Sequence, residues 1–124
     1  MMDSDRQQAA GRAMRMTIRG GRGADAALRK LARQRVAAAL GRFSSRIESL
    51  RVQFADVNGP KGGDDQRCIV EVRLRVPART TVIEDIDSNA AAAISRAAER
   101  AARAVSRIID THHDRRTPPA AFAR

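Results

Sequence analysis

The sequence contains no tryptophan, no tyrosine and only three phenylalanines among its 124 residues. Proteins that bind single strands on an open sheet stack the bases on exposed aromatic side chains. The composition therefore argues against an RNA-recognition motif of the stacking type.

Cysteine is almost absent as well. Cys68 is the only one, which excludes an intramolecular disulfide bond and a zinc site built from cysteines. It falls on the apolar face of a predicted strand, so we expect it to be a small buried side chain. No nucleophile has an evident histidine partner, because His112 and His113 lie in an expected tail. We therefore predict a non-enzymatic protein with no cofactor, no metal site and no small-molecule substrate.

Long apolar runs are also missing. The N-terminal segment "MMDSDRQQAAGRAMRM" lacks the uninterrupted apolar core of a signal peptide. No run approaches the length of a membrane-spanning helix. These absences predict a cytoplasmic protein.

Positive charge is abundant. There are 24 lysines and arginines against 14 acidic residues, a net charge of +10, and all of the basic residues except Lys30 and Lys61 are arginines. Such an excess predicts a polyanionic partner, either nucleic acid or an acidic membrane surface.

Hydrophobic periodicity predicts six elements in the order β-α-β-β-β-α, an α+β fold with two helices on one face of a four-stranded sheet. Apolar residues alternate in three segments, Met14–Arg19, Leu50–Phe54 and Cys68–Val76, and Arg79–Glu84 is predicted as a short fourth strand after Pro77 and Ala78. Helical spacing covers Ala24–Phe43 (predicted helix α1), and a longer helix (predicted helix α2) extends from about Ala90 to Ile109 behind the capping cluster Asp87-Ser88-Asn89. The expected domain is residues 14–110, between flexible tails at 1–13 and 111–124.

The glycine-rich segment Gly59-Pro60-Lys61-Gly62-Gly63 resembles a phosphate-binding loop only superficially. A phosphate loop has Ser or Thr after the lysine and opens a helix, whereas here glycine follows and the next element is a strand. We interpret the segment as a long hairpin connection, with Lys61 as a possible additional phosphate contact. Two acidic groups, Asp64-Asp65 and Glu84-Asp85 with Asp87, are better explained by loop polarity and helix capping than by metal binding.

The second helix carries the clearest candidate site. At 100° per residue, four of its arginines fall within about 60° of one another and span roughly 16 Å. They lie apart from the apolar face that contains Ile94, Ala101 and Val105. These residues, here called the α2 arginine stripe, are Arg96, Arg100, Arg103 and Arg107. Arg29, Lys30 and Arg33 on the first helix form a second group, the α1 basic cluster. A solvated charged face is the alternative, with Glu99 and Asp110 as partners for part of it.

Two segments, "FADVNGPKGGDDQRCIVEVRL" and "VIEDIDSNAAAAISRAAERAARAVSRII", resemble the ribosome hibernation-promoting factor and ribosome-associated translation inhibitor family. The resemblance covers about 14–110 and depends mainly on Asp56-Val57-Asn58-Gly59 and Arg67-Cys68. Ala92-Ala93-Ile94 and the spacing from Ala97 to Arg100 add to it. Ala91 and Ser95 depart from the tyrosine and aspartate common in the family. The chain resembles a short form, without the additional C-terminal dimerisation domain of long members.

The resemblance implies a fold similar to double-stranded RNA-binding domains. It also implies stress-related binding to ribosomal RNA of the small subunit, blocking the channel for messenger and transfer RNA. The α2 arginine stripe and the α1 basic cluster correspond to the family's basic helix surfaces. A general double-stranded RNA-binding module and a helix-mediated protein-interaction domain are the alternatives. Small residues such as Ala97, Ala101 and Ala104 predict that the second helix packs on its own sheet, leaving the isolated domain a monomer.

Overall fold

The computed structural model describes residues 15–20, 24–57 and 65–116, with side chains as far as residue 113. The predicted order β-α-β-β-β-α is confirmed. The strands are β1 (Arg15–Gly20), β2 (Ile47–Asp56), β3 (Gln66–Leu74) and β4 (Arg79–Asp87). The helices are α1 (Ala26–Leu40) and α2 (Ala90–Arg116), and a 3-10 helix (Gly41–Arg46) joins α1 to β2.

The four strands form one mixed sheet in the order β1-β2-β3-β4. β1 pairs parallel with β2, with Ile18 opposite Val52, because α1 provides the crossover between them. β2, β3 and β4 form an antiparallel meander, in which Asp56 is opposite Gln66 and Cys68 is opposite Asp85. The glycine segment therefore connects two adjacent antiparallel strands, as expected for a hairpin connection. Gly59 to Gly63, including Lys61, lie outside the described residues.

Both helices begin at capping side chains. The Asp25 carboxylate accepts a hydrogen bond from the Leu28 backbone N–H at 2.8 Å, so α1 starts after Asp25 rather than at Ala24. At the start of α2, the side-chain oxygen of Asn89 accepts from Ala91 N–H at 2.9 Å. The predicted cluster before this helix is thus confirmed, with Asn89 as its capping residue and Asp87 as the last residue of β4.

The core lies between the helices and one face of the sheet. β2 contributes Leu50 and Val52, and β3 contributes its alternating set from Cys68 to Leu74, all buried. The small residues of α2 lie against this surface, and Ala97 and Ala101 are both inaccessible to solvent. The prediction that the alanine-rich face packs on the protein's own sheet is confirmed, because α2 contacts β3 and β4 and these alanines are buried. The small alanine side chains allow the helix backbone to approach the sheet closely.

Several boundaries differ from the prediction: besides the later start of α1, that helix ends at Leu40 rather than Phe43, and β2 begins at Ile47 rather than Leu50. β3 ends at Leu74 rather than Val76, β4 continues to Asp87 rather than ending at Glu84, and α2 continues to Arg116 rather than ending near Ile109. Residues 111–116, predicted to belong to a flexible tail, are helical, while residues 1–13 and 117–124 lie outside the described part. The extension of α2 could not be read from apolar spacing, because a formed helix adds residues at little cost even where nothing is buried.

None of the described helices has both the length and the apolar character needed to cross a membrane.

Candidate nucleic-acid interface

The α2 arginine stripe lies along the side of α2 that overhangs β4. β4 and α2 run in opposite directions, so residues late in β4 face the start of α2 and residues early in β4 face its second half. On β4 the side chains on the helix side of the sheet are Arg79, Thr81, Ile83, Asp85 and Asp87. We call the surface between these side chains and the stripe the α2–β4 groove.

At one end of the groove the arginines are neutralised within the protein. Arg96 Nη2 donates to Asp85 Oδ1 at 2.8 Å and to Asp87 Oδ2 at 2.8 Å. Arg96 Nε adds a contact with Asp85 Oδ1 at 3.2 Å. Arg100 Nη1 donates to the Glu84 backbone carbonyl at 2.8 Å and to Asp85 Oδ2 at 3.3 Å. Two arginines and two aspartates therefore form one closed network.

The network determines the protonation of its carboxylates. Hydrogen bonding from Arg96 lowers the pKa of Asp85 below its usual range, against the opposing effect of burial, and Arg100 lowers it further. The pKa of Asp87 is lowered chiefly by a hydrogen bond from the Asn89 backbone N–H and then by Arg96. Both aspartates are thus charged at neutral pH and hold Arg96 in place. The sequence interpretation of these acids as capping and loop residues was wrong for Asp85, which lies in the middle of the network.

At the other end of the groove the arginines have no acidic partner among the described residues. Arg103 and Arg107 are exposed, and neither forms an ion pair with any acidic side chain in the described part of the chain. Arg107 borders an open depression of about 270 Å³ between α2 and the start of β4. Its lining residues are Arg79, Thr81, Ala104, Arg107, Ile108 and Thr111. The α2 arginine stripe therefore divides into a neutralised half and an uncompensated half.

The α1 basic cluster is exposed but separate from this groove. Arg29, Lys30 and Arg33 form no ion pair with a described side chain, and Arg29 Nε donates to the Ala24 carbonyl at 3.2 Å. α1 packs beside α2 and against β1, at the opposite edge of the sheet from β4. The α1 basic cluster therefore lies outside the α2–β4 groove.

A further group of arginines was not singled out from the sequence. Arg15, Arg19 and Arg51 are exposed on the sheet face that carries no helix, where Thr17 is opposite Arg51. The alternation of β1 and β2 was the available signal, since it predicts these residues on the face away from the core. They provide a charge-matched comparison for the groove, because none of them contacts α2.

Cys68 lies under the network and is buried, as predicted. Burial, together with the nearby charge of Asp85, raises the pKa of the Cys68 thiol to about 12. The thiol is therefore neutral at physiological pH and is inert as a nucleophile. Among the residues that the structure describes, no group of three or more His, Cys, Asp or Glu side chains is arranged to hold a metal ion.

The fold and groove define an α+β domain with two helices on one face of a four-stranded sheet and arginines along one helix. The N-terminal domain of Protein Y from Thermus thermophilus is similar, with a TM-score of 0.60 and 23% sequence identity, over 77% of this chain and 97% of that domain. A ribosomal subunit interface protein from Coxiella burnetii is also similar, with a TM-score of 0.62 and 14% identity, over 77% and 97% of the two chains. No protein-family model matches the sequence, and no curated protein matches it.

These comparisons establish the shared fold. Both structural neighbours are consistent with the ribosome hibernation-promoting factor family that the sequence resembles. The α+β architecture expected from that resemblance is confirmed by the observed sheet order and by the position of the helices.

Proposed function

We propose that this protein is a ribosome-associated factor that binds the small ribosomal subunit and inhibits translation, as in ribosome hibernation. The observation that carries the proposal is the uncompensated arginine half of the α2–β4 groove, on a fold shared with a ribosomal subunit interface protein. Ribosomal RNA presents closely spaced phosphates, and the planar guanidinium fork suits bidentate contact with phosphate oxygens. The protein acts without catalysis and in the cytoplasm.

Inhibition follows from occupancy. A domain that fills the channel for messenger and transfer RNA excludes both by volume, and its arginines need only hold it there. The groove supplies Arg103 and Arg107 as free charges, while Arg96 and Arg100 keep the helix in position on β4. The α1 basic cluster contributes a separate contact outside the groove, and Lys61 an additional one at the hairpin connection.

The competing protein-interaction function loses its main support. It required the alanine-rich face of α2 to be available to a partner, but Ala97 and Ala101 are covered by the protein's own sheet. A general double-stranded RNA-binding module remains the alternative that the experiment must separate, because backbone contacts by arginine do not depend on sequence.

The test is cosedimentation with purified small subunits, with and without excess transfer RNA, at increasing salt concentration. Arg103→Gln/Arg107→Gln removes two charges from the groove, and Arg15→Gln/Arg51→Gln removes two charges from the opposite sheet face. We expect the groove variant to lose association at a salt concentration that the wild type tolerates, and the control variant to retain it. If excess transfer RNA does not displace the protein from small subunits, or if the protein binds any RNA duplex equally well, the general double-stranded RNA-binding module would be favoured. Equal losses in both variants would contradict the groove assignment.

A further inference from the structure

The depression between the start of β4 and the second half of α2 has the composition of an anion site. Its lining residues include two arginines, Arg79 and Arg107, and two threonines, Thr81 and Thr111. The other two lining residues, Ala104 and Ile108, are apolar. No carboxylate is among the lining residues, and neither arginine forms an ion pair with a described acidic side chain.

Two like charges that border one small depression repel each other, and no described acidic side chain pairs with either arginine to offset this repulsion. An anion in the depression removes the repulsion and accepts hydrogen bonds from both guanidinium groups. The hydroxyl groups extend the donor set to four side chains, which come from two rigid elements of the fold. A tetrahedral phosphate, with several oxygen acceptors, uses such donors better than a planar carboxylate.

The contrast within the groove strengthens this assignment. On β4 the helix-side residues change from acidic at Asp87 and Asp85, through Ile83, to Thr81 and Arg79. At the acidic end, Asp85 and Asp87 already form ion pairs with Arg96 and Arg100. At the Arg79 end, Arg79 and Arg107 have no described acidic partner and can bind an external anion. A polyanion that approaches the groove therefore meets its strongest attraction at the depression.

We infer that the Arg79–Arg107 depression is a phosphate-binding site in which Arg79 and Arg107 hold one phosphate group and Thr81 and Thr111 donate to it. This site rests on the proposed function for Arg107 and deepens it by adding Arg79, Thr81 and Thr111, and its phosphate binding can be measured without a ribosome. The phosphate comes either from an RNA backbone or from a free phosphate ion, and the chemistry of recognition is the same in both cases.

The first arm of the test uses inorganic phosphate and the full chain, followed by two-dimensional NMR of backbone amides and arginine side chains. We expect saturable shifts confined to the residues around the depression. Arg79→Gln raises the dissociation constant about tenfold, as expected for loss of a charge-assisted contact. Arg51→Gln on the opposite face leaves it unchanged. Thr81→Val, which keeps the side-chain shape, weakens binding to a smaller extent.

The second arm uses an RNA duplex of about 16 base pairs. If an RNA phosphate occupies the site, Arg79→Gln reduces the slope of log K against log salt by about one unit, and Arg51→Gln does not. A change in the first arm alone assigns the site to free phosphate and keeps the inference. Shifts spread evenly over all arginines, or phosphate binding unchanged by both Arg79→Gln and Thr81→Val, overturn it. Failure of cosedimentation with ribosomal subunits leaves this result unaffected, so the two proposals are tested separately.

Discussion

The network around Asp85 predicts a measurable coupling between Asp85 and Arg96. Removing the charge of Asp85 by Asp85→Asn loses contacts with both Arg96 and Arg100, and we expect the free energy of unfolding to fall by about 1–2 kcal/mol. The Asp85 side chain is only 11% exposed, which favours a strong pair, but Arg96 is 48% exposed and is screened by water. The coupling in a double-mutant cycle with Arg96→Gln should therefore be measurable but no larger than that of other surface ion pairs.

The pH dependence provides an independent check. Because the pKa of Asp85 is lowered in the folded state, its contribution is complete above the unfolded pKa of about 4 and is lost as the pH falls through the folded pKa. Urea unfolding of the four cycle members at pH 7 and near pH 2 measures this directly. The coupling should be complete at the first pH and smaller at the second, which lies below the unfolded pKa of Asp85.

A control cycle pairs Arg96→Gln with Asp110→Asn. Asp110 lies fourteen residues further along α2, about 21 Å away at 1.5 Å per residue, and should show no coupling. A coupling between Asp85 and Arg96 that is absent at pH 7, or that is unchanged at low pH, would refute the argument that these ion pairs fix the start of α2 on β4.

Three further predictions concern the core and its edges. Ala101→Leu should lower the free energy of unfolding by about 1–3 kcal/mol, because the site is fully covered and has no room for the larger side chain. Ala38→Leu on the exposed side of α1 is the matched control, and equal melting temperatures of the two variants would contradict the packing of Ala101. Cys68 should resist alkylation in the folded protein at pH 8 and react on unfolding, and rapid alkylation of the native protein would contradict its burial. The free energy of unfolding should fall above about pH 9, because the thiol ionises in the unfolded chain before it ionises in the folded one. A Cys68→Val variant should lose that part of the alkaline dependence. Gly20→Ala should destabilise the junction of β1 and α1, because an added Cβ would collide with the Cβ of Ala24; chemical denaturation checks this, and unchanged stability would show that the junction shifts freely.

The sequence predicted the fold well where burial alone determines the structure. β3 is the clearest example, since each alternate residue from Cys68 to Leu74 is buried. The α2 alanines were placed correctly for the same reason. Hydrophobic periodicity predicts which face of a helix or strand is buried, and the core is formed by these buried faces.

The candidate site was less predictable, because it depends on contacts between elements. The helical angle grouped Arg96 and Arg100 with Arg103 and Arg107, but it could not show that Asp85 from β4 reaches the first two. Nor could it place Arg79 beside Arg107, since this requires the antiparallel course of β4 and α2. The parallel pairing of β1 at the far edge likewise separates the α1 basic cluster from the groove, which no local pattern indicates.

The reversal of charge along β4 also gives the groove a direction. Its Arg79 end attracts a polyanion, while its Asp85 end, with equal numbers of opposite charges, is nearly neutral to it. A domain diffusing towards RNA at low ionic strength therefore experiences a torque that turns the Arg79 end forward before contact. Orientation during encounter should appear in the association rate constant, which would decrease with salt more steeply than the dissociation rate constant increases.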